Sequence, residues 1–237
     1  MTYILLAAGK GTRLHPLTFS YPKCLYKLDV ETTVIRRMIQ LIKKYDKESE
    51  IVLVTGFMDD VIKADLGDTV TYVQNPFYSI TNSLASLWFA KDYLNRDQVT
   101  IINGDTVMSE KAIKEVLCRK HDKPTVLLDS SIKSDGDYNV QVDGEIIVVM
   151  SKNLKNYYGE YSGVTILDKE TCNKMVNTLN EMMQEELFNE WYEDVVVRMI
   201  FRNNHKFYHF DLSDYEWTEV DNVDDLLKAK KIHNAVK

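Results

Sequence analysis

Short apolar runs alternate with amphipathic stretches through the first half of the chain. Apolar positions recur at helical spacing after Thr33, a residue suited to cap a helix, and residues 82–94 also favour a helix. Strands that alternate with helices in this way predict βαβ units and a mostly parallel sheet covered on both faces. Four runs are typical of buried strands: residues 3–7, 51–55, 70–73 and 99–102.

The pattern changes beyond Pro124, where antiparallel strands are expected to join the sheet. Asp143-Gly144 separates two apolar stretches and is a strong hairpin signal. We therefore predict one α/β domain over residues 1–237, a Rossmann-like three-layer α/β/α arrangement whose mixed sheet is mostly parallel. The further predicted elements are strands at 125–128, 138–142, 145–150, 206–211 and 217–220, and helices at 170–186, 195–200 and from 223 onward.

Composition excludes several classes of protein. Apolar residues make up 45% of the 237 positions and charged residues 27%, which is ordinary globular usage. The net charge of −7 disfavours a nucleic-acid partner, and no run reaches the ~18 apolar residues of a membrane span, so we expect neither partner. Cys24, Cys118 and Cys172 form no CxxC pair, which favours reduced thiols and a cytoplasmic location.

A glycine-rich turn follows the first strand. Gly9 and Gly11 would let backbone amides turn toward a polyphosphate where the chain leaves the sheet. Leu14 stands where a dinucleotide-binding fingerprint would have its third glycine, and the loop does not match the P-loop pattern either. Taken alone, this GxG favours a tight turn without a ligand.

The residues after this turn carry a more specific signal. The glycine-rich loop and the Pro-Lys that follows it resemble the signature of the nucleotidyltransferases that make nucleotide sugars and related activated phosphates. Further stretches resemble one branch of that family, the small bacterial phosphocholine cytidylyltransferase-like proteins, and CTP:phosphoglutamine cytidylyltransferases are similar to the same branch. The stretches are Leu6-Ala-Ala-Gly-Lys-Gly-Thr-Arg-Leu, Pro22-Lys-Cys-Leu, Asn103-Gly-Asp, Gly159-Glu-Tyr-Ser-Gly, Trp191-Tyr-Glu-Asp and Trp217-Thr-Glu-Val-Asp.

This resemblance implies a nucleotidyltransferase fold of the GT-A-like type, with acceptor-binding elements mainly within residues 125–217. It also implies transfer of CMP from CTP to a small phosphorylated acceptor, with release of pyrophosphate, for modification of a capsule or lipooligosaccharide. A phosphate monoester is already close to doubly charged at neutral pH, since its second pKa is about 6, so the reaction needs no general base. The protein must instead supply positioned cations and amides.

Four residues are the predicted catalytic set. The resemblance puts Arg13 on the pyrophosphate portion and Lys23 near the reacting phosphates. Asp105, at the end of a strand, and Asp221 match the two carboxylates that hold Mg²⁺, the cofactor that the resemblance implies. Asp221 could also cap the last helix, and the two roles are compatible.

The nucleotide-binding residues follow from the same resemblance. Ala8 and Gly9 are expected to contact the base or ribose through backbone groups, while Asn82 and Ser83 correspond to the segment that meets the pyrimidine ring. Asn82 and Ser83 would equally make a helix cap without any ligand. The full predicted set is Leu6, Ala7, Ala8, Gly9, Gly11, Thr12, Asn82, Ser83 and Gly104.

The predicted acceptor-binding residues lie in the second half of the chain. The resemblance places Lys152 near the acceptor phosphate and Glu160 on the acceptor or ribose side. The resemblance also implies that Tyr192, Glu193 and Asp194 lie at the non-phosphate end of the acceptor. Carboxylates and aromatic rings together suit a cationic head there. The alternative is a pair of helix-surface acids beside core aromatics.

Several functions stay open at this stage. Phosphocholine leads as acceptor, a phosphorylated amino acid is a close alternative, and a sugar 1-phosphate is third. A nucleotide-sensing domain without turnover and a metal-dependent glycosyltransferase are rivals of other classes. A homodimer is also left open by the sequence.

Overall fold

A nine-stranded mixed sheet dominates the computed structural model, which describes residues 1–11, 21–132 and 138–235. The strands are β1 (Thr2–Ala7), β2 (Glu50–Thr55), β3 (Thr71–Gln74), β4 (Gln98–Asn103), β5 (Thr106–Met108), β6 (Thr125–Asp129), β7 (Asn139–Asp143), β8 (Ile146–Ser151), β9 (Gly159–Asp168), β10 (Tyr208–Asp211) and β11 (Trp217–Glu219). The helices are α1 (Val34–Tyr45), α2 (Asp59–Leu66), α3 (Ser83–Phe89), α4 (Glu110–Ala112), α5 (Lys169–Gln184), α6 (Tyr192–Asn203) and α7 (Val223–Asn234).

The order of the sheet is β3-β2-β1-β4-β9-β6-β10-β8-β7. The first four strands run parallel to one another, whereas β9 runs antiparallel between β4 and β6, and β10 is again parallel to β6. Strands β5 and β11 form a separate antiparallel pair. The predicted mixed α/β sheet is therefore confirmed, with the antiparallel strands in its second half.

The side chains of β1 alternate between two hydrophobic cores, which gives the three layers. Ile4 packs into the core beneath α3, α5 and α6, while Tyr3 and Leu5 face the core beneath α1, α2 and α4. All three side chains are fully buried. None of the helices in the described ranges combines the length and apolarity that a bilayer span requires.

Several predicted elements are confirmed, and four were not predicted. Helix α1 is capped by the Thr33 side chain, and Gly144 adopts φ +57° in the predicted hairpin between β7 and β8. The helix predicted at 82–94 is wrong in length, because α3 ends at Phe89 and a 3₁₀ turn follows. Helix α6 begins at Tyr192, three residues before the predicted start. The elements that were not predicted are β5, β9, α2 and α4.

Gly104 lies where β4 passes closest to β1. Its amide donates to the carbonyl of Leu6 at 2.8 Å, and a Cβ placed on it would lie only 2.7 Å from the same oxygen. Backbone at that distance cannot yield without moving a central strand. Glycine is therefore required here by packing, before any ligand is considered.

We predict that Gly104→Ala lowers the free energy of unfolding by about 1–3 kcal/mol, the usual cost of overpacking. Gly9→Ala is the matched control, because a Cβ at Gly9 would meet no atom of the described residues within 4 Å. Urea unfolding curves of both variants test this. Equal stability of Gly104→Ala and the wild type would contradict the packing argument.

Candidate active site

A cleft of about 380 Å³ opens at the carboxyl end of β1 and β4, beside the beginning of α3. Parallel α/β sheets bind ligands at this edge, because the loops leaving neighbouring strands diverge there. Most of the predicted site residues line the cleft, although they come from widely separated parts of the chain. They are Leu6, Ala7, Ala8, Gly9, Gly11, Lys23, Asn82, Ser83, Gly104, Asp105, Lys152, Glu193 and Asp221.

The Lys23 ammonium joins the two predicted metal carboxylates. Its Nζ donates to Asp105 Oδ2 and, at 2.5 Å, to Asp221 Oδ1. Lys23 begins a short 3₁₀ turn, Asp105 lies in the two-residue turn between β4 and β5, and Asp221 follows β11. The amide of Val220 also donates to the carbonyl of Asp105 at 3.1 Å. The two carboxylates are thus held close enough to contact a common cation.

The charges of neighbouring carboxylates determine the protonation state of Lys23. The Lys23 side chain is 14% exposed. Burial alone would lower the pKa of Lys23, but the neighbouring Asp105 and Asp221 carboxylates outweigh burial and raise the pKa above its ordinary value. Lys23 is therefore positively charged throughout the physiological range. Asp105 Oδ1 is buried and has no hydrogen-bond partner among the described residues.

Glu219 is a third acidic residue in the cleft wall. It is not among the site residues predicted from the sequence. Its Oε1 accepts a hydrogen bond from Asn103 Nδ2 at 2.9 Å. Burial, followed by the negative charge of Asp105, raises the pKa of Glu219 well above its ordinary value. The sequence contained a signal for Glu219, because this residue lies two positions before Asp221 in the Trp217-Thr-Glu-Val-Asp stretch. Residues two apart in an extended segment point to the same side.

Gly163 makes room for the Glu219 carboxylate. It adopts φ +77°, and a Cβ there would lie 2.3 Å from Glu219 Oε1 and 2.7 Å from Thr106 Oγ1. A side chain on β9 at this point would displace the acid from the cleft wall. The second glycine of the Gly159-Glu-Tyr-Ser-Gly stretch thus has a packing role beneath the cleft.

The donor set of Asp105 and Asp221 fits a hard divalent cation. Both offer carboxylate oxygens, and none of the described residues donates a hydrogen bond to the buried Oδ1 of Asp105. Within the described ranges, no group of three or more His, Cys, Asp or Glu side chains is arranged to hold a metal ion. A Mg²⁺ ion could still fit, because it is commonly bound by one or two carboxylates together with substrate phosphates and waters.

The glycine-rich loop borders the cleft, and no atom of the described residues lies within 4 Å of a Cβ built on Gly9. Gly9 lines the cleft without steric need for glycine, and Gly11 adopts φ +62°. The lack of a side chain at Gly9 and at Gly11 allows a ligand to approach the backbone amides of these two residues closely. Thr12 and Arg13 lie outside the described residues, so their predicted contacts stay predictions.

The beginning of α3 forms the wall beside the loop. Asn82 caps the helix, with its Oδ1 accepting from the Ser83 amide at 2.8 Å, and Ser83 Oγ accepts from the Tyr192 amide at 2.9 Å. The alternative role as a helix cap is therefore confirmed for Asn82, whereas the Ser83 hydroxyl binds the first amide of α6 and does not cap α3. Because both residues also line the cleft, their contact with a pyrimidine ring stays a prediction.

Glu193 is the one predicted acidic residue of α6 that lines the cleft. It is only 3% exposed, and its Oε2 has no hydrogen-bond partner among the described residues. Burial raises the pKa of Glu193 to about 7, although backbone hydrogen bonding, Asn103 and the charge of Lys152 oppose this rise. Such a carboxylate favours a cationic or hydrogen-bond-donating group beside it.

Aromatic side chains also line the cleft, namely those of Tyr138, Tyr161 and Trp191. Burial is the main cause that raises the pKa values of Tyr138 and Tyr161, and the negative charge of Glu193 contributes to both shifts, so these two rings lie near the acid. The Lys152 ammonium lies 3.7 Å from the centroid of the Trp191 ring, a cation–π contact that keeps an exposed lysine at the cleft rim. None of these three aromatic residues is among the site residues predicted from the sequence.

Three of the predicted acceptor-binding residues do not line the cleft. Tyr192 is fully buried, and its hydroxyl is hydrogen-bonded to that of Tyr161. Asp194 helps to cap α6, since its Oδ2 accepts a hydrogen bond from the Trp191 amide at 3.0 Å. Its Oδ1 accepts from the Tyr138 hydroxyl at 2.8 Å. Glu160 precedes Tyr161 on β9, so its side chain points to the opposite face of the sheet. Tyr192 and Asp194 thus orient wall residues.

Comparison with known proteins agrees with this geometry. The sequence model of the MobA-like NTP transferase domain matches residues 3–134. The choline-phosphate cytidylyltransferase of Streptococcus pneumoniae (strain ATCC BAA-255 / R6) is 28% identical over 242 aligned positions, which cover 98% of each chain. The CTP:phosphoglutamine cytidylyltransferase of Campylobacter jejuni is 29% identical over 54% of this chain and 52% of that protein.

Solved structures give the same fold. The structure of a CTP:phosphocholine cytidylyltransferase from Streptococcus pneumoniae superposes with a TM-score of 0.76 at 21% identity, covering 98% of both chains. Together with the match over residues 3–134, the comparisons establish an enzyme of the nucleotidyltransferase class. The chain belongs to the MobA-like NTP transferase domain family.

Proposed function

We propose that this protein is a cytidylyltransferase that transfers CMP from CTP to a small phosphorylated acceptor and releases pyrophosphate. The observation that carries the proposal is the convergence of Lys23, Asp105 and Asp221 beside the glycine-rich loop. The two relatives named above, both cytidylyltransferases, support CTP as the nucleotide.

The proposed reaction needs charge compensation more than proton transfer. An acceptor phosphate oxygen attacks the α-phosphorus of CTP, the bond from that phosphorus to the β-phosphate bridging oxygen breaks, and pyrophosphate leaves. The acceptor oxygen is already ionised at neutral pH. Lys23 supplies a permanent positive charge close to the glycine-rich loop, which lowers the cost of bringing two anions together. Arg13 is proposed to bind the pyrophosphate portion.

Mg²⁺ is the proposed cofactor, with Asp105 and Asp221 as its protein ligands. When bound, the ion would neutralise charge on the nucleotide phosphates. The Lys23 ammonium contacts both carboxylates and compensates their charge. We propose that Lys23 moves from these carboxylates to the phosphates when the substrate complex forms.

The acceptor is proposed to carry a cationic group at the end opposite its phosphate. The Glu193 carboxylate, with an unpartnered oxygen, and the rings of Tyr138, Tyr161 and Trp191 support this class. Lys152 lies at the rim, where it can contact the acceptor phosphate. Phosphocholine is the first candidate, and a phosphorylated amino acid is the alternative. A sugar 1-phosphate offers no cation to Glu193.

A nucleotide-sensing domain is the alternative of another class. Such a domain would need the glycine-rich loop and the wall formed by α3, but it would give no role to two carboxylates gathered around Lys23. A cytoplasmic location, a role in capsule or lipooligosaccharide modification, a homodimer and the absence of nucleic-acid or membrane partners stay predictions.

The first test is an acceptor assay with purified protein, CTP and Mg²⁺, measured as pyrophosphate release. We expect release with phosphocholine or phosphoglutamine and much slower release with glucose 1-phosphate. UTP in place of CTP is the control for the base. The proposal fails if none of the three acceptors raises release above the rate without acceptor.

We predict that Asp105→Asn lowers kcat by at least about 100-fold, because it removes a charged ligand where phosphate charge must be compensated. Binding of CTP in calorimetry is expected to persist, since the loop and α3 are unchanged. Asp97→Asn is the matched control, because Asp97 is an exposed acid paired with Lys169. Unchanged turnover in Asp105→Asn would contradict the proposed role of this carboxylate.

We predict that Glu193→Gln raises the KM for a cationic acceptor on the order of tenfold, the usual effect of losing one charge-assisted contact. In the wild type, kcat/KM for the acceptor should rise with pH through about 7, because the ionised form of Glu193 attracts the cation. The rise of kcat/KM with pH through about 7 that Glu193 causes should be absent in Glu193→Gln. Ionisation of the acceptor phosphate affects the wild type and the variant alike.

Glu190→Gln is the matched control for this pH profile, since Glu190 is an exposed acid just before α6. Its KM and pH profile should equal those of the wild type. Identical acceptor KM values for Glu193→Gln and Glu190→Gln would show that Glu193 does not contact the acceptor.

A further inference from the structure

A second cavity, of about 300 Å³, lies between α1, the beginning of α4 and the end of α7. It shares no lining residue with the cleft described above. Helix α1 supplies most of its wall, and the reaction proposed for the cleft uses none of its residues. The side chains that line the cavity include those of Arg37, Leu41, Lys44, Glu110 and His233.

Arg37 is the unusual member of this wall. It is only 4% exposed, its Nη1 donates to the carbonyl of Met108 at 2.7 Å, and its Nη2 is buried without a hydrogen-bond partner among the described residues. Burial lowers the pKa of Arg37 to about 10, with Glu110 opposing this shift, so the guanidinium stays charged at neutral pH. A buried charged donor without an acceptor is costly, and an anion would satisfy it.

The charges around the cavity also favour an anion. Arg37 and Lys44 contribute two positive charges, and Glu110 contributes one negative charge. The Glu110 carboxylate is already engaged, since it accepts from the Lys44 ammonium and the Tyr45 hydroxyl. His233 donates to or accepts from Asp29 at 2.8 Å and is therefore also engaged. With His233 neutral, the lining side chains carry one positive charge in excess, because Glu110 is the single carboxylate of the described residues that faces both Arg37 and Lys44.

We propose that this second cavity binds a small organic anion, with the oxyanion group beside Arg37 and Lys44. A guanidinium and an ammonium suit a carboxylate or a phosphate monoester equally well. The cavity is larger than an oxyanion group alone, and Leu41 gives it an apolar side, so the ligand carries a small apolar portion. This proposal does not depend on the reaction proposed for the cleft.

The test compares two variants of neighbouring lysines on α1. Lys44→Met removes a charge that lines the cavity and is 58% exposed, so the variant should fold. Lys43→Met removes the same charge from a residue that does not line the cavity, where Lys43 Nζ donates to the Ser49 carbonyl. The rise of the melting temperature with phosphate, and separately with acetate, is measured at constant ionic strength in chloride.

Phosphate binding should weaken about tenfold in Lys44→Met, the loss expected for one charged hydrogen bond, and stay at the wild-type value in Lys43→Met. Equal behaviour of the two variants with both anions would overturn the proposal. A response to acetate but not to phosphate would identify a carboxylate as the ligand, and the reverse would identify a phosphate monoester.

Crystals soaked in selenate provide a second, local measurement, because selenium can be located by its anomalous signal. A selenium peak within hydrogen-bond reach of Arg37 in the wild type, and its absence in Arg37→Leu, would support the site. A water molecule on Arg37 Nη2 with no selenium peak would show that the buried donor is satisfied by solvent and would overturn the proposal.

Discussion

The structure of the cleft depends on a buried attraction, that of one ammonium for two carboxylates. Asp105 and Asp221 would repel each other if they were gathered without a cation, and the Lys23 ammonium contacts both. Removing the lysine would leave two partly buried like charges together with the high-pKa acid Glu219, which is costly in a site of low dielectric. The Lys23 ammonium therefore offsets the repulsion between the two carboxylates and keeps them together at the edge of the cleft.

The fold brings these charges together through the small sheet of β5 and β11. Register pairs Glu219 with Thr106 and Trp217 with Met108, so the strand that precedes Asp221 is fixed beside the strand that follows Asp105. The Trp217 indole donates to Asp129 at 2.8 Å and anchors this small sheet to β6 of the main sheet. Side chains more than a hundred positions apart thus meet because two short strands pair. The register of β5 and β11 determines the relative position of Asp105 and Asp221.

Sequence patterns predicted those parts of the molecule in which local chemistry agrees with the fold. The Asp143-Gly144 turn and the helix after Thr33 are examples, since each carries its own turn or cap. Strand β9 was missed although it lies at the centre of the sheet, because Ser162 and Thr165 are buried polar residues that break the apolar pattern. Tyr192 was expected in the site, but α6 begins one turn earlier than predicted and directs it into the core.

The elements that leave the cleft also enclose the second cavity. Helix α7 begins just after Asp221 and reaches the cavity at His233, while β5 begins next to Asp105 and leads into α4 with Glu110. The segment after Lys23 leads in the same way to α1, which supplies most of the cavity wall. Short, packed elements transmit displacement because a close-packed interior has little free volume to absorb it. A ligand of the second cavity would therefore contact helices that follow the three charged residues of the cleft along the chain.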